Sequence, residues 1–328
     1  MSKSQPTPET KPTSETILRR LEWTVLRRLD GVLHGDYRTL FRGFGLDLAS
    51  LREYQMHDDV RHIDWNTTAR LQQPYVRQYN EDREVTAWFL LDISPSIDFG
   101  SEDVRKRNVL LDFVGVIARL LTRHGNRVGA LLYSGAKGSG ALDGMIPARS
   151  GRQHVLHILN ALRTQPELTR SPETNLGEFL QTAGQIIQRR SMVFVVSDFI
   201  SAPGWTKALA QLAMRHEVLS VRLFDQLELE LPDLGLLVMQ DAETGEQIFV
   251  DTTDRGFRKR FAAMAEKREA DLRESFGKAG VDALELSTGD DLVDVILRFA
   301  DLRKRRSQVA AGGGMPQHIK ATSMESRA

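Results

Sequence analysis

The chain has no cysteine in its 328 residues. That excludes a disulfide scaffold and any zinc or iron–sulfur centre built on thiolates. Net charge is missing as well: 44 Lys and Arg balance 44 Asp and Glu, and the sequence pI is about 7.1. A polycationic nucleic-acid binder is therefore disfavoured, and a partner site has to be sought locally. Long hydrophobic runs are also absent. The cleanest, Ala87–Leu91 and Met192–Val196, are only strand-sized. Neither approaches the roughly 18 apolar residues needed to cross a bilayer, so no membrane span is expected. The opening MSKSQPTPETKPTSE lacks the apolar core of a signal peptide. We expect a disordered leader over 1–14 and a cytoplasmic chain.

What is present is an alternation of short apolar strands and amphipathic helices. A first helix is expected over 15–33, with Leu18, Leu21, Val25, Leu29 and Val32 along one face. The region 34–84 is rich in Gly, Arg, Asp and aromatics and predicts short or irregular structure. Strands are expected at Val85–Leu91, Arg127–Tyr133, Met192–Val196, Glu217–Phe224 and Ala283–Leu286. Helices are expected at Glu102–His124, Arg152–Leu162, Leu176–Arg189, Trp205–Met214, Arg255–Lys278 and Leu292–Arg303. In the first of these, Val104, Leu111, Val114, Ala118 and Leu121 lie on one face. Leu234–Met239 and Gln247–Val250 flank a turn and read as a hairpin.

Such alternation predicts an α/β fold, a doubly wound and mostly parallel sheet covered on both faces. The main domain is expected over 85–305, preceded by a helix and small β-rich extension over 15–84. The hairpin near 234–250 is expected to join that extension. A tail over 306–328 reads as disordered; from Arg303 on, six basic residues face one acidic residue, usual for a solvated tail.

In a doubly wound sheet, functional loops lie at the strands' carboxyl ends. There the first strand runs into Asp92-Ile93-Ser94-Pro95-Ser96, the pattern D-x-S-x-S. Met192–Val196 runs into Ser197-Asp198. Between them, Pro172-Glu173-Thr174-Asn175 opens a helix. Hard divalent cations require oxygen ligands, and Mg²⁺ takes six at near-octahedral geometry. Each residue taken singly also reads as a turn or helix cap.

At Asp92, Ser94, Ser96, Thr174 and Asp198 the chain closely resembles a von Willebrand factor A domain with a metal-ion-dependent adhesion site (MIDAS). The resemblance implies that these five residues hold Mg²⁺, with Mn²⁺ or Ca²⁺ as alternatives. It implies hydroxyl contacts from Ser94, Ser96 and Thr174, and carboxylates that bind directly or through water. It implies too that a partner's acidic side chain completes the shell. Upstream, Leu51-Arg52-Glu53-Tyr54, Asp58-Asp59-Val60-Arg61, Ile63-Asp64-Trp65 and Ala69-Arg70 stand in a specific order. Together with Phe99-Gly100 after D-x-S-x-S, they resemble the bacterial "domain of unknown function fifty-eight" family from about 33 to 306. His57 departs from the Gly that the resemblance leads one to expect. Read bottom-up, Arg52, Asp58, Asp59, Arg61, Asp64, Arg70 and Arg77 suit an Arg–carboxylate network, and Trp65 is expected to pack against the sheet.

The resemblance implies a MoxR-type AAA+ ATPase as partner and client complexes as targets of remodelling. The leading expectation is thus a non-enzymatic, metal-dependent protein-binding adaptor, with no nucleic-acid partner. A Mg²⁺-dependent hydrolase or phosphotransferase, or a metal-independent scaffold, stands as the alternative. No general base is placed beside the candidate ligands. The segment 134–140 lacks G-K-[ST], and Ser94 and Ser96 lack the G-x-S-x-G elbow. His57 and His62 have no third fixed ligand beside them.

Overall fold

The computed structural model describes residues 13–29, 50–55, 63, 65–78, 85–101, 104–137, 140–166, 174–240, 246–299 and 318–319. The chain enters through α1 (Ser14–Leu21), capped by the Thr13 side chain. A π-turn over Glu22–Leu26 follows, then helical backbone to 29. The expected single helix therefore carries a wider turn in its middle. That turn leaves Leu18, Leu21, Val25, Leu26 and Leu29 all buried.

Strand β1 (Ser50–Glu53) pairs antiparallel with β2 (Tyr75–Gln78), with α2 (Trp65–Leu71) between them. Trp65 does not pack against the central sheet; it is 70% exposed at the start of α2. Asp58, Asp59, Arg61 and Asp64, and with them the expected Arg–carboxylate network, lie outside the described residues, as do His57 and His62.

The central sheet comprises β3 (Thr86–Asp92), β4 (Arg127–Tyr133), β5 (Gly144–Arg149), β6 (Met192–Ser197), β7 (Glu217–Phe224), β10 (Asp282–Ser287) and β11 (His318–Ile319). Its order is β11-β10-β7-β6-β3-β4-β5. Every neighbouring pair is parallel except β4 with β5. The intervening hairpin, β8 (Leu236–Gln240) with β9 (Gln247–Asp251), is a separate antiparallel pair. It does not hydrogen-bond to β1–β2 among the described residues. Each short ribbon has closed on its sequence neighbour, the pairing with the smaller loop-closure cost.

Continuous apolar runs give strands buried on both faces. Along β3, Ala87, Phe89 and Leu91 point into one core layer while Trp88 and Leu90 point into the other. The first layer is covered by α1, α3 (Lys106–Arg123), α4 (Arg152–Thr164) and the helix over 292–299. The second is covered by α5 (Leu176–Ile186), α6 (Trp205–Arg215) and α7 (Arg255–Ala279). Phe89 and Phe194 stack across β3 and β6 with centroids 5.1 Å apart. Among the described residues no helix is long and apolar enough to cross a membrane.

Helix α3 begins at Lys106, four residues later than expected. Val104 is consequently a loop residue, 40% exposed, and not part of the buried face. The cause is local. Lys106 N–H donates to Phe99 O at 2.9 Å, closing a tight loop. A Cβ on Gly100 would meet Val104 O at 2.3 Å. Only glycine lets the backbone close there.

The chain leaves β3 for β4 and β5 on one side and then returns to β6 on the other. The switch point therefore lies between the carboxyl ends of β3 and β6.

Candidate metal and partner site

The switch point carries Asp92 at the end of β3 and Ser197-Asp198 at the end of β6. After Asp92 the chain enters a 3₁₀ turn, Pro95–Asp98, with Pro at its start. That turn points Ser94 and Ser96 back toward Asp92. The Ser94 N–H donates to Asp92 Oδ1 at 3.0 Å. The hydroxyls of Ser94 and Ser96 are 3.1 Å apart. The Ser197 hydroxyl donates to Asp92 Oδ2 at 2.7 Å and accepts from Phe199 N–H at 2.9 Å. Arg107 of α3 grips both oxygens of Asp98 and so fixes the far end of the turn.

The β6 side is held under strain. Phe199 has φ of +59°, in the left-handed region that glycine favours. Such a residue costs of order 1–3 kcal/mol and persists only where its surroundings impose it. Here the Phe199 ring is clamped between Trp205 and Phe276, with centroids 5.1 and 4.9 Å away. The reversal turns the Ile200 N–H onto Asp198 Oδ1 at 3.0 Å.

Asp92, Ser94, Ser96 and Asp198 thus meet in one buried cluster. Asp92 bonds Ser94; Ser94 bonds Ser96; the Ser96 hydroxyl also reaches Asp198. Thr174 is buried at the start of α5. Its carbonyl accepts from Ala202 N–H at 2.9 Å and from the Ser201 hydroxyl at 2.8 Å, which ties the α5 entrance to the β6 loop. Asn175 caps α5 through Glu178 N–H and donates its own N–H to the Tyr133 hydroxyl.

Three further residues belong to the site and were not among the candidates. Ser197 orients Asp92, as above. Lys106, at the first turn of α3, is 1% exposed. Its ammonium lies 2.9 Å from Asp198 Oδ2 and 2.6 Å from Glu228 Oε1. Glu228 is delivered by the 3₁₀ turn Gln226–Glu228 after β7, capped by Asp225. Buried Asp225 also accepts from Ser101 N–H and hydroxyl, both at 2.8 Å, and from the Thr288 hydroxyl at 2.6 Å. Asp225 thereby stitches together the loops after β3, β7 and β10.

Electrostatics separate the two central carboxylates. Burial, reinforced by the Asp198 charge, pushes Asp92 up to about 6, against the opposing bonds from Ser197 and Ser94. Burial acts on Asp198 in the same sense, but the Lys106 ammonium, the Ile200 N–H and the Ser96 hydroxyl outweigh it. Asp198 therefore lies below the usual carboxylate range. Burial would lower Lys106, yet Asp198 and Glu228 hold it above the ordinary lysine value and charged.

The donor set suits a small hard cation. An octahedral Mg²⁺ with ligands at about 2.0–2.1 Å has oxygen–oxygen edges of about 3 Å, and the Ser94 and Ser96 hydroxyls are 3.1 Å apart. Two carboxylates flank that edge. Among the described residues no three His, Asp or Glu side chains cluster as metal ligands, so a soft or purely anionic cage is not on offer. The pocket is hydroxyl-rich and low in anionic ligands.

Known proteins place this chain in a family. An uncharacterised protein of Mycobacterium tuberculosis is 37% identical over 294 residues, spanning 90% of this chain and 91% of that one. A protein of Paracoccus denitrificans, described as lying in the moxR 3′ region, is 34% identical over 105 residues, 32% of this chain and 99% of that one. Among solved structures, the hypothetical protein BatB of Bacteroides thetaiotaomicron is similar at TM-score 0.41 and 15% identity, over 70% of this chain and 100% of that one. The VWA domain of SpRpn10 is similar at TM-score 0.37 and 12% identity, over 66% and 95% of the two chains. The model of the family described as protein of unknown function DUF58 matches residues 50–271, and the chain belongs to that family.

Proposed function

We propose that the chain is a non-enzymatic protein-binding module that engages an acidic side chain of its partner through a divalent cation. The observation that carries this reading is the pair of hydroxyls, Ser94 and Ser96, buried 3.1 Å apart beside two buried carboxylates. In this reading Ser94, Ser96 and Thr174 hold Mg²⁺, with Asp92 and Asp198 behind them. When bound, the ion supplies a Lewis-acidic position for a carboxylate oxygen. Few direct anionic ligands leave such an ion short of negative charge, which favours a partner's Asp or Glu.

What supports binding over catalysis is the engagement of both carboxylates. Each oxygen of Asp92 and of Asp198 already accepts a hydrogen bond from within the chain. In the binding reading these bonds orient both carboxylates as supports behind the ion.

For the partner, the moxR-region relative supports a MoxR-type AAA+ ATPase, with this chain as the adaptor that directs remodelling of client complexes in the cytoplasm. The test is a pull-down of the ATPase of the same organism. Retention in Mg²⁺, lost in EDTA and in Ser94→Ala, is the expected result. Equal retention in all three conditions contradicts the metal bridge.

A further inference from the structure

A lysine this deeply buried is costly unless its charge has a partner and a task. Lys106 has two partners on two different loops, Asp198 after β6 and Glu228 after β7. The tight loop at Gly100 turns it inward, while the flanking Arg105 remains exposed.

We infer that Lys106 is the resident cation of the site, a positioning residue that holds Asp198 out of direct contact with a bound divalent ion and leaves that ion dependent on a carboxylate from the partner. The inference rests on the metal reading above. Each oxygen of Asp198 already carries a donor, the Lys106 ammonium on Oδ2 and the Ile200 N–H on Oδ1, and the Ser96 hydroxyl also reaches the group. An ion seated at Ser94 and Ser96 meets Asp198 with its charge already offset. It also meets the ammonium's own repulsion, which water screens poorly in a buried pocket. Glu228 moderates that repulsion, because it draws part of the Lys106 charge to its own side. Its loop is secured in turn by Arg268 of α7, which donates to Glu228 O at 3.0 Å. The metal alone is then weakly held, and a carboxylate ligand restores the balance.

Titration calorimetry of the full chain with Mn²⁺, with and without acetate as the carboxylate probe, tests this. Wild type is expected to bind Mn²⁺ more tightly when acetate is present. Lys106→Met is expected to bind Mn²⁺ at least about tenfold tighter than wild type, with no further gain from acetate. Glu228→Gln is expected to bind several-fold more weakly than wild type, since Lys106 is then offset by Asp198 alone. Thermal melting gives a second readout: Lys106→Met melts lower without metal and gains more from Mn²⁺ than wild type does. Should Lys106→Met fail to fold, Glu228→Gln carries the test, and equal or tighter binding there overturns the inference. Ser94-dependent binding in wild type, without tightening in Lys106→Met, overturns the role of Lys106 alone. No Ser94-dependent Mn²⁺ binding in any variant overturns the metal reading with it.

Discussion

Asp92 and Asp198 lie in one buried site, and their proton affinities are shifted in opposite directions because only Asp198 has a lysine beside it. Asp92 is raised from 3.8 to about 6, so the folded chain keeps its proton where the unfolded chain has lost it. Stability contributed by the protonated acid is therefore lost as pH rises from about 4 to about 6, and a buried charge remains above that window. In EDTA, Asp92→Asn should be more stable than wild type at neutral pH by roughly 1–3 kcal/mol. Its urea-unfolding stability should be flatter across the same window. A variant less stable than wild type at pH 7 contradicts this account of the pocket. Ser94→Ala removes a hydroxyl that faces Ser96 and should change stability by no more than about 1.5 kcal/mol, while abolishing Mg²⁺-dependent retention of the partner. The acids and serines were legible in the sequence because D-x-S-x-S and S-D each end an apolar run. Lys106 was not: a lysine in the first turn of a helix reads as solvated. What buries it is Glu228, 122 positions downstream, together with the closure of the loop at Gly100.

Elements were legible where periodicity was strong. Arg127–Tyr133 and Glu217–Phe224 form strands with the expected boundaries. Strand β5 was missed: it is a half-exposed edge strand carrying Pro147, which breaks the strand signature and is tolerated only at an edge. The fastening of α7 was hidden too, because it depends on charges inside the fold. Arg222 of β7 bonds both oxygens of Glu269 on α7 at 2.5 Å and reaches Glu285 of β10 at 3.4 Å. All three are buried. Arg222→Met leaves two carboxylates without their cation and should cost about 3–5 kcal/mol in urea unfolding. A loss below about 1 kcal/mol, the range of an exposed pair, contradicts this role. On the opposite face, α1 approaches α3 at Gly115, where an added Cβ would meet Leu21 Cδ1 at 2.8 Å. Gly115→Val should cost about 1–3 kcal/mol by overpacking and expose residues 13–29 to limited proteolysis. Unchanged protease resistance argues against that contact as the anchor of α1.

For the whole molecule, the fold class followed from apolar strands without alternation, which need cover on both faces. The zero net charge carried no such information, since the site is a balance of buried acids and one buried lysine. That balance sits where the sheet reverses its order, buried at the carboxyl ends of β3 and β6. A crystal soaked in Mn²⁺ and acetate tests the central claim most directly. The account predicts a single anomalous peak bonded to the Ser94 and Ser96 hydroxyls, with acetate on its open side and Lys106 still on Asp198. The absence of any peak in that pocket, or a peak elsewhere that leaves Ser94 and Ser96 bonded only to protein, would contradict it.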